Sequence, residues 1–161
     1  MKRGEKMLPS EVLREVISKK HNINLEKYAW KEEFKKLVFS IKLDNDLETN
    51  ATTLGEIYSE GFNIGHCGLT SRYIARGFEE AELYFGKAKL LIGTKKSPNG
   101  EHAWTIINDY LIDSTLMICI PKSHMEDLGY KCEKHLEHSC ARLLSEYDVY
   151  DHEYEVKKLK K

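Results

Sequence analysis

Two short apolar runs, HAWTII and YLID, are separated by only two residues, Asn108 and Asp109, and no other feature limits the possible folds of the chain as tightly. Both runs are rich in β-branched and aromatic residues, and an Asn-Asp pair tolerates the backbone angles of a two-residue turn, so the segment is expected to form a β-hairpin. The turn sets the register: Ile107 stands opposite Tyr110, Trp104 faces Asp113 and His102 faces Thr115. Successive side chains alternate between the faces of a strand, which puts His102, Trp104 and Asp113 on one side. His102 and Asp113 become diagonal neighbours, roughly 7 to 8 Å apart at the backbone, a span that an imidazole and a carboxylate can bridge. Asp109 is the rival acid, but its place in the turn accounts for it.

A histidine oriented by a carboxylate is a base that lacks a nucleophile. Cys67 lies in GHCG, between Gly65 and Gly68, where an expected helix begins. The following run, LTSRYIARGFEEAELYF, carries Leu69, Tyr73, Ile74 and Phe78 along that helix and is expected to bend at Gly77. A helix start offers unpaired N–H groups and a partial positive charge, and with a neighbouring imidazolium these favour a thiolate. The glycines let a substrate carbonyl approach the backbone, where the Cys67 N–H can donate to a developing oxyanion. Asn63 and His66 are the candidates for a second donor, and Trp104 for a wall of the site.

The remaining pattern is helical before Cys67 and strand-like after Ala88. A first helix is expected over about 10–20, with Ser10 as its cap. A second runs over about 25–42 with Trp30, Phe34, Leu37, Val38 and Ile41 on one side, and a short third starts at Thr53, whose spacing to Glu56 matches a capping box. AKLLIG and LMICI read as further strands of an antiparallel sheet, and 94–101 as a polar lip. A helix over about 131–147 would align Cys132, Leu136, Cys140, Leu143, Leu144 and Tyr147. The expected fold is α+β in a single domain of 161 residues: a helical N-terminal part over 9–43, a motif core over about 53–120 with the cysteine-bearing helix on the sheet, and the C-terminal helix.

Charge and composition narrow the function classes. Lys and Arg number 25 against 26 Asp and Glu, so the net charge of -1 supplies no general attraction to nucleic acid or anionic membrane. No stretch approaches the roughly 18 to 20 apolar residues of a membrane span, and a cytoplasmic location with four reduced cysteines is expected. Cys132, His135, His138 and Cys140 are of ligand type, but on one helix they would spread around the axis, so no metal site and no cofactor is expected. The lysines of the tail, 157–161, read as solvated charge.

GHCGLTSRYIARGF followed by EHAWTIINDYLIDST resembles the transglutaminase-like branch of the papain-related cysteine enzymes over about Gly61 to Ile120. In that family a cysteine heads a helix, a histidine in an H-x-W context opens a strand, and an aspartate closes the next; Cys67, His102-Ala103-Trp104 and Asp113-Ser114-Thr115 correspond. The resemblance implies a Cys67-His102-Asp113 triad on a papain-like fold, acting on a peptide or protein amide through a thioester acyl-enzyme. Gly68 stands where a tryptophan commonly follows the nucleophile, and Ser114 where a proline follows the aspartate. Both departures favour hydrolysis, as in a protease, deamidase or peptide amidase, over protein cross-linking. Transfer to an amine acceptor and a non-catalytic binding or adaptor module on the same fold are the alternatives.

Overall fold

The computed structural model describes residues 7–43, 51–78, 80–94 and 98–136. Four α-helices precede five strands: α1 Pro9–His21, α2 Glu32–Phe39, α3 Leu54–Glu60, α4 Cys67–Gly77, then β1 Ala81–Ala88, β2 Glu101–Ile107, β3 Tyr110–Asp113, β4 Ile118–Pro121 and β5 Tyr130–Leu136. The strands form one antiparallel sheet in the order β4-β3-β2-β1-β5. The α+β class is therefore as expected, and no helix of the described residues is long and apolar enough to cross a membrane.

The hairpin has the expected register next to the turn, but the ladder stops before the expected Trp104–Asp113 and His102–Thr115 pairs. Ile107 pairs with Tyr110, Ile106 with Leu111 and Thr105 with Ile112, and Asn108 takes the left-handed conformation at φ 55° that lets two residues reverse the chain. Its two faces feed two cores. Ala103 and Ile112 pack with Leu83, Phe85, Tyr58, Tyr73 and Ile74 beneath α3 and α4. Trp104, Ile106 and Leu111 pack on the opposite face with Ile17, Leu25, Leu116, Ile118 and Tyr130.

Several expected elements differ, each for a traceable reason. The helix expected over 25–42 is divided into a 3-10 turn at Leu25–Tyr28 and α2. Between them Ala29 bridges to Ile118, the Trp30 N–H donates to the Met117 carbonyl at 2.9 Å, and the Trp30 indole N–H donates to the Ile118 carbonyl at 3.0 Å. Edge pairing thus takes this backbone out of any helix. The α4 helix stops at Gly77, and AELYF, expected as its continuation, is the first half of β1, hydrogen-bonded on both sides by β2 and β5. AKLLIG contributes only Ala88 to that strand, since Lys89–Leu91 form a 3-10 turn.

The largest correction is at the C-terminal side. The segment expected to open a helix at 131 is instead β5, an edge strand whose Ala88–Tyr130 and Gly86–Cys132 pairs close the sheet, and residues 137–147 of that expectation lie outside the described ones. The helical argument against a Cys/His metal cluster fails with it; Cys132 is exposed on the strand, and His138 and Cys140 lie outside the described residues, as does the lysine tail. Of the lip at 94–101, residues 95–97 also lie outside. Caps differ too: Ser10 is buried and its Oγ accepts the Asn63 amide, while Glu11 takes the Leu8 N–H at α1. At α3 the Glu56 carboxylate binds the Thr52 N–H and hydroxyl rather than completing a box with Thr53.

Candidate active site

Asp113 ends β3 and is fully buried. Its Oδ1 accepts the backbone N–H groups of Thr115 and Leu116, each at 2.9 Å, an Asx-type turn that fixes the carboxylate plane. Its Oδ2 accepts the His102 Nε2–H at 2.8 Å and the Tyr130 hydroxyl at 2.6 Å. A carboxylate offers only lone pairs, so Nε2 must carry the hydrogen and Nδ1 is left for a second partner.

Cys67, the first residue of α4, lies near enough for its side chain to act on the His102 imidazole. Cys67 packs against the helix-side core, and Trp104, two residues beyond His102 on β2, lies in the other. The β2–β3 ladder ends at Thr105–Ile112, and no β3 residue pairs with positions 101–104. Cys67 is partly exposed, whereas His102 is 2% exposed and Asp113 fully buried.

Burial disfavours a charged imidazole, yet the Asp113 carboxylate and the Cys67 sulfur, by charge and hydrogen bond, outweigh it and push His102 up to about 10. Burial likewise works against an ionised Asp113, but the charge and hydrogen bond of His102, the Tyr130 hydroxyl and the Leu116 N–H hold its carboxyl below the usual range. Both shifts favour the charged pair, an imidazolium on a buried carboxylate.

Hydroxyl groups hold the thiol-bearing helix to this pair. Thr70 Oγ1 and Ser114 Oγ lie 2.6 Å apart, Ser71 Oγ donates to the Ala103 carbonyl at 3.3 Å, and Thr105 Oγ1 donates to the Ser71 carbonyl at 3.0 Å. Ser114 and Ala103, the residues after Asp113 and His102, are thus tied to Thr70 and Ser71 of α4. Gly65, at φ 88°, supplies the left-handed bend by which the chain enters that helix.

The other candidates fall in different places. The Asn63 amide is buried and donates to Ser10 Oγ at 2.6 Å and to the Ser114 carbonyl at 3.3 Å, so it braces the loop before Cys67 and is not presented to an oxyanion. His66 is the N-cap of α4, with Nδ1 turned back to the Phe62 carbonyl at 2.9 Å. Gly68 is buried in the first turn of α4. Trp104 has no exposed surface and packs edge-on against Tyr130 at 5.4 Å; it backs the histidine instead of lining the approach to the sulfur. Among the described residues no cluster of His, Cys, Asp or Glu is arranged to hold a metal ion.

Sequence reasoning missed Tyr130 and Arg14. Tyr130 was hidden by the helix expected just after it, although a tyrosine following Gly129 is an ordinary strand opening. Arg14 is 5% exposed and reaches from α1 to the Leu116 and Met117 carbonyls at 3.1 and 3.3 Å, bracing the turn that carries Asp113. A lone arginine between Leu13 and Val16 on an otherwise apolar stripe was the available signal. No family model, no curated protein and no solved structure matches this chain.

Proposed function

We propose that the protein is a cysteine-dependent hydrolase or acyltransferase that attacks an amide carbonyl through Cys67, His102 and Asp113, on a transglutaminase-like, papain-related fold. The observation that carries this reading is the buried 2.8 Å bond between His102 Nε2 and Asp113 Oδ2 with Cys67 near enough to act on the same imidazole. A purely structural ion pair has no need of a partly exposed cysteine beside it.

In this mechanism the Cys67 thiolate adds to the carbonyl carbon, and the oxyanion lies against the first-turn amides of α4, beginning with the Cys67 N–H, which have no partner inside the helix. His102 then gives its Nδ1 proton to the leaving amine as the C–N bond breaks, leaving a thioester. Water, or an amine acceptor, attacks the thioester while His102 takes a proton from it, and the sulfur leaves as thiolate. Asp113 keeps the ring oriented and its charge balanced throughout.

The test is iodoacetamide alkylation across pH with mapping of the adducts. Selective alkylation of Cys67 below pH 7, lost on His102→Ala, is the expected result. Equal and slow labelling of all four cysteines would instead mark a binding module. Adding an amine acceptor to turnover of a model amide separates transfer from hydrolysis by the product formed.

A further inference from the structure

Asp113 Oδ2 receives two donors, and the second of them is foreign to the His-Asp arrangement. We propose that Tyr130 is a positioning residue of the triad, its hydroxyl acting on His102 through Asp113 by sharing Oδ2 with the imidazole N–H and so limiting the carboxylate charge that falls on the ring. The inference rests on the triad reading above.

The geometry supports this in three ways. The Tyr130 hydroxyl is 2.6 Å from Oδ2, shorter than the 2.8 Å bond from His102 Nε2 to the same atom, so the two compete for one oxygen's electron density. The other oxygen is already occupied by the N–H groups of Thr115 and Leu116, which leaves Oδ2 as the atom where charge can be adjusted. The phenol is itself fixed: Tyr130 is 2% exposed, pairs with Ala88 on β1, donates its N–H to the Met125 carbonyl at 2.9 Å, and packs against the rings of both His102 and Trp104 at 6.4 and 5.4 Å.

Few other groups bear on this carboxylate. From β2 comes His102, with Cys67 of α4 beyond it. From α3 comes Tyr58, whose hydroxyl donates to the Ser114 carbonyl at 2.6 Å rather than to Asp113. From α1, Arg14 binds the carbonyls of Leu116 and Met117 in the same turn. Burial and the nearby Asp113 charge hold the Tyr130 phenol well above its ordinary range, so it stays a proton donor over the pH range in which the triad works. The chemical consequence concerns release of the proton. Without the second donor, Asp113 would bind the imidazolium more strongly, and His102 would surrender its Nδ1 proton to a leaving amine less readily.

The experiment uses the full chain and proton NMR of the His102 ring, with the downfield Nε2 proton assigned by its loss in His102→Gln. In Tyr130→Phe the Nε2 proton is expected to move further downfield, and the pH midpoint of the ring to move up. Fluorotyrosine introduced at position 130, a stronger donor, is expected to shift both in the opposite direction, and serves if the phenylalanine variant does not fold. Tyr58→Phe, which removes an equally buried phenol hydroxyl that does not touch Asp113, is expected to shift neither. Unchanged His102 signals in folded Tyr130→Phe or fluorotyrosine protein, or an equal shift in Tyr58→Phe, would overturn the proposal. Failure of the triad reading is seen separately, as absence of selective Cys67 alkylation below pH 7 in the unaltered protein.

Discussion

Four hydrogen bonds converge on the two oxygens of Asp113, and all four donors are fixed by backbone or by buried rings. A buried charge so fully satisfied becomes costly once its chemistry is changed. The pH dependence of stability follows in sign. The imidazole of His102 titrates ordinarily at 6.5 and is raised to about 10 in the fold; between these values the unfolded chain has lost a proton that the folded one keeps. Stability from this group is therefore complete below 6.5 and declines as pH rises through about 10. Asp113, held below its ordinary 3.8, contributes fully above that value and loses its contribution as pH falls through its lower folded value. Urea unfolding is expected to show greatest stability from this pair between about pH 4 and 6.5, falling toward pH 9. In Asp113→Asn the slope above pH 6.5 is expected to flatten, with a loss of about 3 to 5 kcal/mol at pH 6. Wild-type stability that rises between pH 6.5 and 9 would contradict the assignment.

At the scale of elements, the site depends on pieces far from the sulfur. The α1 helix serves it through Arg14, whose guanidinium satisfies two carbonyls of the turn after Asp113 and pairs through Nε with Glu26 at 2.9 Å. Because Glu26 is largely exposed while the arginine side chain is buried, the carbonyl bonds matter more than the ion pair. Arg14→Met is expected to cost about 3 kcal/mol in chemical unfolding and to slow low-pH alkylation of Cys67 beyond the unfolded fraction; alkylation that simply tracks folding would show the brace to be local. The β1–β5 junction is equally strict. A methyl added at Gly86 collides with the Lys131 carbonyl, so Gly86→Ala is expected to lose about 3 kcal/mol and the protection of the amides in the β1–β5 ladder from hydrogen exchange. Retained protection would show that the edge can give way. These same elements were the least legible in the sequence. AELYF is built of good helix formers, and its alternation of Ala81, Leu83 and Phe85 inward with Glu82 and Tyr84 only partly buried competes with a helical reading. Pairing on both sides decides for the strand. Likewise 131–136 fits a helical stripe as well as a strand, and only the open edge of β1 selects between them.

Across the whole molecule, what the sequence made legible is local and what it hid is distant. The hairpin register follows from a two-residue turn, and the helix start at Cys67 from flanking glycines, so the elements that carry Cys67, His102 and Asp113 could be placed before any coordinates. Tyr130 reaches Asp113 across 17 positions of chain and Arg14 the turn that follows it across about a hundred, and no periodicity records such contacts. The sheet order β4-β3-β2-β1-β5 explains why: the first strand lies between the second and the fifth, so the chain must return past its own beginning to finish the layer. Thiol, imidazole and carboxylate therefore all leave the ribosome before the phenol that is seated on the acid. A growing polypeptide carries the buried charge pair for some time before the last of its hydrogen-bond donors has been made, and the carboxylate is fully satisfied only when the closing strand arrives.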